Sequence, residues 1–255
     1  MSDQHQIGTW VKLPAVEVVE VLAAAGLDFV IIDLEHGAID RQTASHMIGV
    51  AHGLGIRPFV RVAGRTPRDV QPVLDAGAAG IVVPRVDDPA IARQAVDAIR
   101  FPPLGRRGAS PSGRAGRWGQ ASLSDYLAAA SHVVVVVQVE SWPALNLIGS
   151  IAAVPGVDAV FIGEVDLATS RSVPVDDPEL RQVVDQAEAV CREGGHVLGG
   201  VAADGADAAR RFARGYHLLA IGTDINFLRR GAAHAVAQAR AATTSTTRPE
   251  PEPDR

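Results

Sequence analysis

The sequence predicts a single (β/α)8 barrel, the TIM-barrel fold, on three observations: eight short apolar runs, amphipathic stretches between them, and glycines at the joins. Four of the runs share one design, a glycine, a short polar step and then an apolar segment: AGLDFVIID (25–33), AGAAGIVVP (76–84), PGVDAVFIG (155–163) and RGYHLLAIG (214–222). Four more complete the set: IGTWVKL (7–13), RPFVRV (57–62), HVVVVVQVE (132–140) and HVLGGVA (196–202). The runs are rich in Val and Ile without alternating polar residues, as in parallel strands covered on both faces. A doubly wound open sheet is the alternative arrangement of the same elements.

The elements follow one another in a regular order. IGTWVKL is succeeded by the amphipathic stretch PAVEVVEVLAAA, and Gly26 then suits the left-handed position just past a helix end. The same punctuation recurs after TPRDVQPVLDA, with Gly77, and before the last strand, with Gly215. Two places break the pattern. RFPPLGRRGASPSGRAGRWGQ (100–120) is too long and too rich in Gly, Pro, Ser and Arg for an ordinary helix-to-strand connection, which marks it as a functional or interface loop. ATTSTTRPEPEPDR (242–255) carries almost nothing apolar and reads as a disordered tail, so the barrel domain is expected over 1–241.

Composition excludes several classes. The 255 residues are 47% apolar and 21% charged, with a net charge of -5 and a pI near 5.9, so the basic footprint expected for nucleic acid or an anionic membrane is missing. No apolar run approaches the roughly 18 residues of a membrane span, and the start MSDQHQIG has no signal-peptide pattern. A single cysteine, Cys191, rules out an intrachain disulfide and fits a reducing compartment; a cytoplasmic protein is expected.

Active sites in such barrels form where the strands end. Polar residues gather there: Trp10-Val11-Lys12 on the first strand, Asp33-Leu34-Glu35-His36 after the second, Arg61 on the third, Gln138 and Glu140 on the fifth, and Gly163-Glu164-Val165-Asp166 after the sixth. Any one alone reads as a cap or a solvated loop residue. Gln138 and Glu140 share a strand face, however, and both point into the barrel if Val139 packs outward. An inward carboxylate needs a cation, from Arg61 or from a metal. With Asp166 on the neighbouring loop, two carboxylates without sulfur or an adjacent histidine suit an oxygen-liking divalent ion such as Mg²⁺ or Mn²⁺. The other histidines fall in the leader, at strand starts or in helices, and read as structural.

Together these residues resemble the HpcH/HpaI family of metal-dependent, class II pyruvate aldolases. The likeness runs from about Gly8 to Ala239 through DFVIIDLEHG, FVRV, LDAGAAGIVVPRV, RFPPLGRRG, VQVES and GVDAVFIGEVDL, in that order. It implies a barrel of the phosphoenolpyruvate/pyruvate-binding type and an enzyme that cleaves or forms 4-hydroxy-2-oxo acids, from pyruvate and an aldehyde, through a metal-bound enolate. The resemblance implies Glu140 and Asp166 as metal ligands for Mg²⁺ or Mn²⁺, with Co²⁺ a further choice. It implies Arg61 as the oxyanion-stabilising group and His36 as the catalytic histidine with Asp75 its partner. Trp10, Gln138, Gly163, Val165 and Asp166 then line the substrate, the N–H groups around Val165 and Asp166 holding its carboxylate. It also implies a C-terminal helix, from Ile225 onward, exchanged between subunits of a trimer or hexamer.

Lys12, the only lysine, either binds a substrate carboxylate, lies solvated at the rim, or serves the rival Schiff-base chemistry. Alternative functions on the same scaffold are oxaloacetate decarboxylation, citrate formation from oxaloacetate and an acyl-CoA in a siderophore pathway, and a non-catalytic keto-acid-binding barrel. One departure stands out: the family pattern before the metal aspartate is G-P-x-D, and this chain has Glu164 in place of the proline. Glu164 is expected either in solvent or turned inward toward the far end of the substrate.

Overall fold

The computed structural model describes residues 5–245. Eight parallel strands close into a barrel in sequence order: β1 (Gln6–Val11), β2 (Phe29–Asp33), β3 (Arg57–Arg61), β4 (Gly80–Val83), β5 (Val134–Val139), β6 (Ala159–Ile162), β7 (Leu198–Ala202) and β8 (Tyr216–Thr223). β8 returns to pair with β1, which settles the closed barrel over the open sheet. Around it run α1 (Val16–Ala24), α2 (Arg41–Leu54), α3 (Pro67–Asp75), α4 (Pro89–Ile99), α5 (Leu123–Ser131), α6 (Trp142–Asn146), α7 (Ile148–Ala152), α8 (Glu164–Ser170), α9 (Pro178–Glu193), α10 (Gly205–Ala213) and α11 (Asp224–Ser245). Gly26, Gly77 and Gly215 all hold positive φ, at 84°, 98° and 95°, where a Cβ would be strained.

Strand parity divides the core in two. Val30, Ile32, Val60, Val135, Val137 and Val139 face the helices in one large layer. Trp10, Phe29, Ile31, Phe59, Val136 and Phe161 fill the barrel interior. Three of these rings are accommodated by glycines on the adjoining strands. A Cβ on Gly8 would lie 2.4 Å from the Phe29 ring, one on Gly80 2.8 Å from Phe59, and one on Gly199 2.9 Å from Phe161. Each ring fills the gap left by a glycine on a neighbouring strand, and together they leave a packed plug below the mouth.

The 100–120 segment leaves α4 and leads through a 3-10 turn (Arg114–Gly119) to α5, so it lies at the end of the barrel where strands begin. It is tied down by Arg100 to Asp158 at 2.6 Å, Arg107 to Asp75 at 2.9 Å, and Arg106 to Asp97. α11 is the exception to close packing. It touches the barrel chiefly at β1 and β8, and leaves Ile225, Phe227, Leu228 and Val236 exposed. The helix runs to Ser245, past the expected start of the tail at 242; residues 246–255 lie outside the described ones. Among the described residues no helix is long and apolar enough to cross a membrane.

Candidate active site

β5 sets the orientation of the mouth. Val139 packs in the outer layer, and strand alternation turns Gln138 and Glu140 inward. Gln138 is buried and its Oε1 has no hydrogen-bond partner. Glu140, one residue past the strand, accepts a 2.7 Å hydrogen bond on Oε1 from the backbone N–H of Arg85. Arg85 follows β4 at φ 55°, a left-handed conformation uncommon for a residue with a Cβ, and this turn directs its N–H at the carboxylate.

β2 and β3 supply the opposite wall. They run in register with Asp33 beside Arg61, and the fully buried Asp33 carboxylate collects five donors. Oδ1 accepts from Arg61 Nε at 2.9 Å and from the backbone N–H groups of Glu35 and His36 at 3.1 and 3.2 Å. Oδ2 accepts from Arg61 Nη2 at 2.6 Å and Lys12 Nζ at 2.7 Å. Burial alone would raise the Asp33 pKa, but the hydrogen bonds from Arg61 and Lys12 outweigh it and hold the carboxyl well below its usual range. The Arg61 guanidinium lies 4.3 Å from the Trp10 ring centroid, and its Nη1 reaches Glu35 at 3.2 Å.

Glu140 has the reverse character. Burial pushes its pKa up to about 7, against the Arg85 N–H and Arg61, and the charges of Asp166 and Glu35 push the same way. Around Glu140 the mouth gathers Asp33, Glu35 and Asp166 with Lys12 and Arg61, and the buried Asp224 carboxylate accepts the Lys12 backbone N–H, an excess of negative charge that suits a divalent cation. A Cβ on Gly163 would stand 2.8 Å from Glu140 Cβ and 3.1 Å from Oε2, so only glycine lets the backbone between β6 and α8 approach this carboxylate. Among the described residues no group of three or more His, Cys, Asp and Glu forms a metal cage. Two hard carboxylate donors are what Mg²⁺ or Mn²⁺ accepts, so the residues present fit such an ion.

The remaining candidates are spread unevenly. His36 is largely exposed beside the mouth, its Nε2 3.6 Å from Glu35 Oε2. Val165 and Asp166, also exposed, lie in the first turn of α8, where N–H groups have no intrahelical partner. Lys12 Nζ is engaged by Asp33, a cationic role ill suited to a Schiff-base nucleophile. Asp75 does not meet His36 within the chain: it ends α3 at the far end of the barrel, bound to Arg107 and near Tyr126. The arginines of the 100–120 segment share that far end and do not line this mouth. Glu164 takes neither expected place, since it forms an ion pair with Arg211 of α10 at 2.5 Å. Cys191 is buried and its thiol is pushed up to about 11 by burial, which leaves it inert.

Sequence reasoning gave no role to Asp33, Glu35 or Arg85. The motif DLEHG did signal the first two by its density of charge, whereas Arg85 acts through its backbone and leaves no side-chain pattern to read.

The model of the HpcH/HpaI aldolase/citrate lyase family matches residues 6–231. The chain belongs to this family. Among its relatives, the 2-keto-3-deoxy-L-rhamnonate aldolase of Salmonella gallinarum is 35% identical over 223 residues, covering 86% of this chain and 83% of that one. A HpcH/HpaI aldolase/citrate lyase family protein from Burkholderia cenocepacia J2315 superposes with a TM-score of 0.88 at 33% identity, covering 94% of this chain and 96% of that one. The citrate synthase SbnG superposes with a TM-score of 0.86 at 30% identity, covering 95% and 96%. As a HpcH/HpaI protein aligned with an aldolase over most of both lengths, the chain is a carbon–carbon lyase.

Proposed function

We propose that this HpcH/HpaI protein is a divalent-metal-dependent aldolase that joins pyruvate and an aldehyde, or cleaves the resulting 4-hydroxy-2-oxo acid. The observation that carries the reading is the meeting of Glu140 and Asp166 with the Asp33-clamped Arg61 at one mouth. Glu140 and Asp166 would hold the ion, Mg²⁺ or Mn²⁺ by the hardness of the donors, with Co²⁺ as a substitute. Bound there, the ion supplies Lewis acidity toward the 2-oxo group.

The rest falls to the protein. Arg61, fixed by Asp33, donates to the oxygen that gains charge as the C3–C4 bond breaks. Trp10 covers the guanidinium and keeps water from it. Gln138 and Gly163 shape the floor, and the free N–H groups of Val165 and Asp166 receive the substrate carboxylate. His36, beside the mouth, takes the proton of the C4 hydroxyl, directly or through a water. Lys12 completes the charge around Asp33 and stands at the rim for an anionic substrate group.

The assembly belongs to the same reading. The apolar residues that α11 leaves exposed support its exchange between subunits of a trimer or hexamer. Asp75 can then serve His36 only from a second subunit, because the two stand at opposite ends of one barrel. Citrate formation remains the second reading, favoured by the likeness to SbnG over nearly the whole chain.

Chelator-treated protein is to be tested for exchange of the pyruvate C3 protons, oxaloacetate decarboxylation, aldol addition to several aldehydes, and condensation of oxaloacetate with acetyl-CoA, each with Mg²⁺, Mn²⁺ or Co²⁺ restored. Aldol addition that requires added metal is expected. Full activity in excess chelator would sink the metal reading, and condensation with acetyl-CoA in place of aldol addition would select citrate formation.

A further inference from the structure

The position where this chain departs from its family carries the inference. Glu164 opens α8, two residues before Asp166 and next to Gly163, whose backbone packs on Glu140. Its carboxylate turns away from the mouth and meets Arg211 twice, Oε1 to Nη1 at 2.5 Å and Oε2 to Nη2 at 3.3 Å. Both side chains are only 19% exposed. Arg211 is itself held: Nε donates to Asp207 Oδ2 at 3.1 Å, and that oxygen also accepts the backbone N–H of Ala203 at 3.0 Å. The guanidinium lies 5.6 Å from the Tyr216 ring, whose hydroxyl donates to the buried Glu188 at 2.8 Å. The tether thus runs through α10 to the residue just past β7 and lies against β8, whose Tyr216 is bound to α9.

The middle and the start of α8 are secured differently. At the middle residue, the Trp142 indole donates to Leu167 O at 2.9 Å. At its N-terminal end Gly163 offers no side-chain cap; Thr169 Oγ1 donates to Val165 O within the helix at 2.8 Å, and the Glu164–Arg211 pair ties the first turn to α10. In the G-P-x-D pattern, a proline restricts the backbone at this point by covalent means. Here a two-point ion pair does so from outside.

We propose that Glu164 and Arg211 are positioning residues that hold the Gly163–Asp166 loop in its metal-binding conformation, doing by charge what the family's proline does by its ring. The inference rests on the reading of Glu140 and Asp166 as metal ligands. It also makes Glu164 neutral toward substrate, because its charge is spent on Arg211 on the outer side of the loop. Discrimination between acidic and neutral aldehydes therefore does not pass through Glu164.

The test is the affinity for Mn²⁺ alone, measured by electron paramagnetic resonance on full-length protein, alongside melting temperature and pyruvate proton exchange. Wild type should bind Mn²⁺ and Glu140→Ala should not. Glu164→Gln and Arg211→Met should each weaken binding about tenfold, the scale seen when groups supporting metal ligands are removed. Arg211→Lys, which keeps the charge, should recover most of the loss. Exchange activity lost in Glu164→Gln should return at saturating Mn²⁺, a repair that a merely structural defect would not show. If a single variant does not fold, the double variant Glu164→Gln/Arg211→Gln leaves no unpaired charge and is read in the same way. Unchanged Mn²⁺ affinity in the variants with only a lower melting temperature overturns the proposal and leaves the pair a packing contact. Failure of the wild type to bind Mn²⁺ overturns the metal reading instead.

Discussion

Asp33 and Arg61 stand opposite each other on adjacent strands and close a two-point ion pair, Nε to Oδ1 at 2.9 Å and Nη2 to Oδ2 at 2.6 Å, with the carboxylate wholly buried. In the proposed reaction the pair orients the group that meets developing negative charge; without Asp33, Lys12 loses its carboxylate and Arg61 keeps only Glu35.

Asp33→Ala should therefore destabilise the barrel by about 3–5 kcal/mol, the usual cost of breaking a buried pair, in urea unfolding at neutral pH. Because the folded-state pKa of Asp33 is depressed, its contribution is present above the ordinary carboxylate range and is lost only as pH falls toward that lower value. The acid limb of the wild-type stability curve should accordingly be steeper than that of Asp33→Asn. Parallel curves would remove the pair from the account of stability.

Glu140 predicts the opposite pH dependence. Its folded-state pKa, raised to about 7, makes the metal-free protein lose stability as pH rises from the ordinary glutamate range through neutrality. Glu140→Gln should lack that loss. Mn²⁺ should reverse it in the wild type, releasing protons near pH 7 because the ligand must be ionised. A calorimetric titration in two buffers of different ionisation enthalpy measures the release, and zero proton release at pH 6.5 would count against Glu140 as a ligand.

Arg61 and His36 should separate kinetically. Arg61→Ala is expected to lose about 10²–10³ in rate in every reaction that passes through an enolate, including pyruvate proton exchange and oxaloacetate decarboxylation. His36→Ala should spare those two and impair aldol cleavage, where a hydroxyl proton moves. Decarboxylation at the wild-type rate by Arg61→Ala would contradict the assignment.

The apolar face of α11 predicts association. Phe227→Glu with Leu228→Glu should lower the mass seen by light scattering while the circular dichroism of the barrel persists, since both side chains are exposed in the single chain. An unchanged mass would show that this helix does not join subunits.

The barrel was legible because each strand is a self-contained apolar run and each joint carries its own glycine. The inward pairing of Gln138 with Glu140 was legible too, from strand period alone. Partner choice was not. Asp75, Glu164 and the 100–120 arginines are charged residues whose neighbours come from distant segments, and nothing local says which end of the barrel they face. Arg85 was invisible because the Glu140 contact uses its N–H, which every residue but proline possesses. Asp33 sat in plain view, yet its five donors arrive from three strands or loops and only the closed fold assembles them.

The rings of Phe29, Phe59 and Phe161, seated against Gly8, Gly80 and Gly199, give the site a single door. A molecule cannot pass through the barrel, so whatever rests deepest must arrive first and depart last. If pyruvate lies over Gln138, the aldehyde enters behind it and leaves ahead of it, and the order of traffic follows from the plug. Product inhibition of cleavage should then be competitive for pyruvate and noncompetitive for the aldehyde, with the reverse pattern pointing to a deeper aldehyde subsite. Enlarging a glycine beneath the door would push a ring upward and shorten the antechamber, so residues that never touch substrate set how far in it can travel.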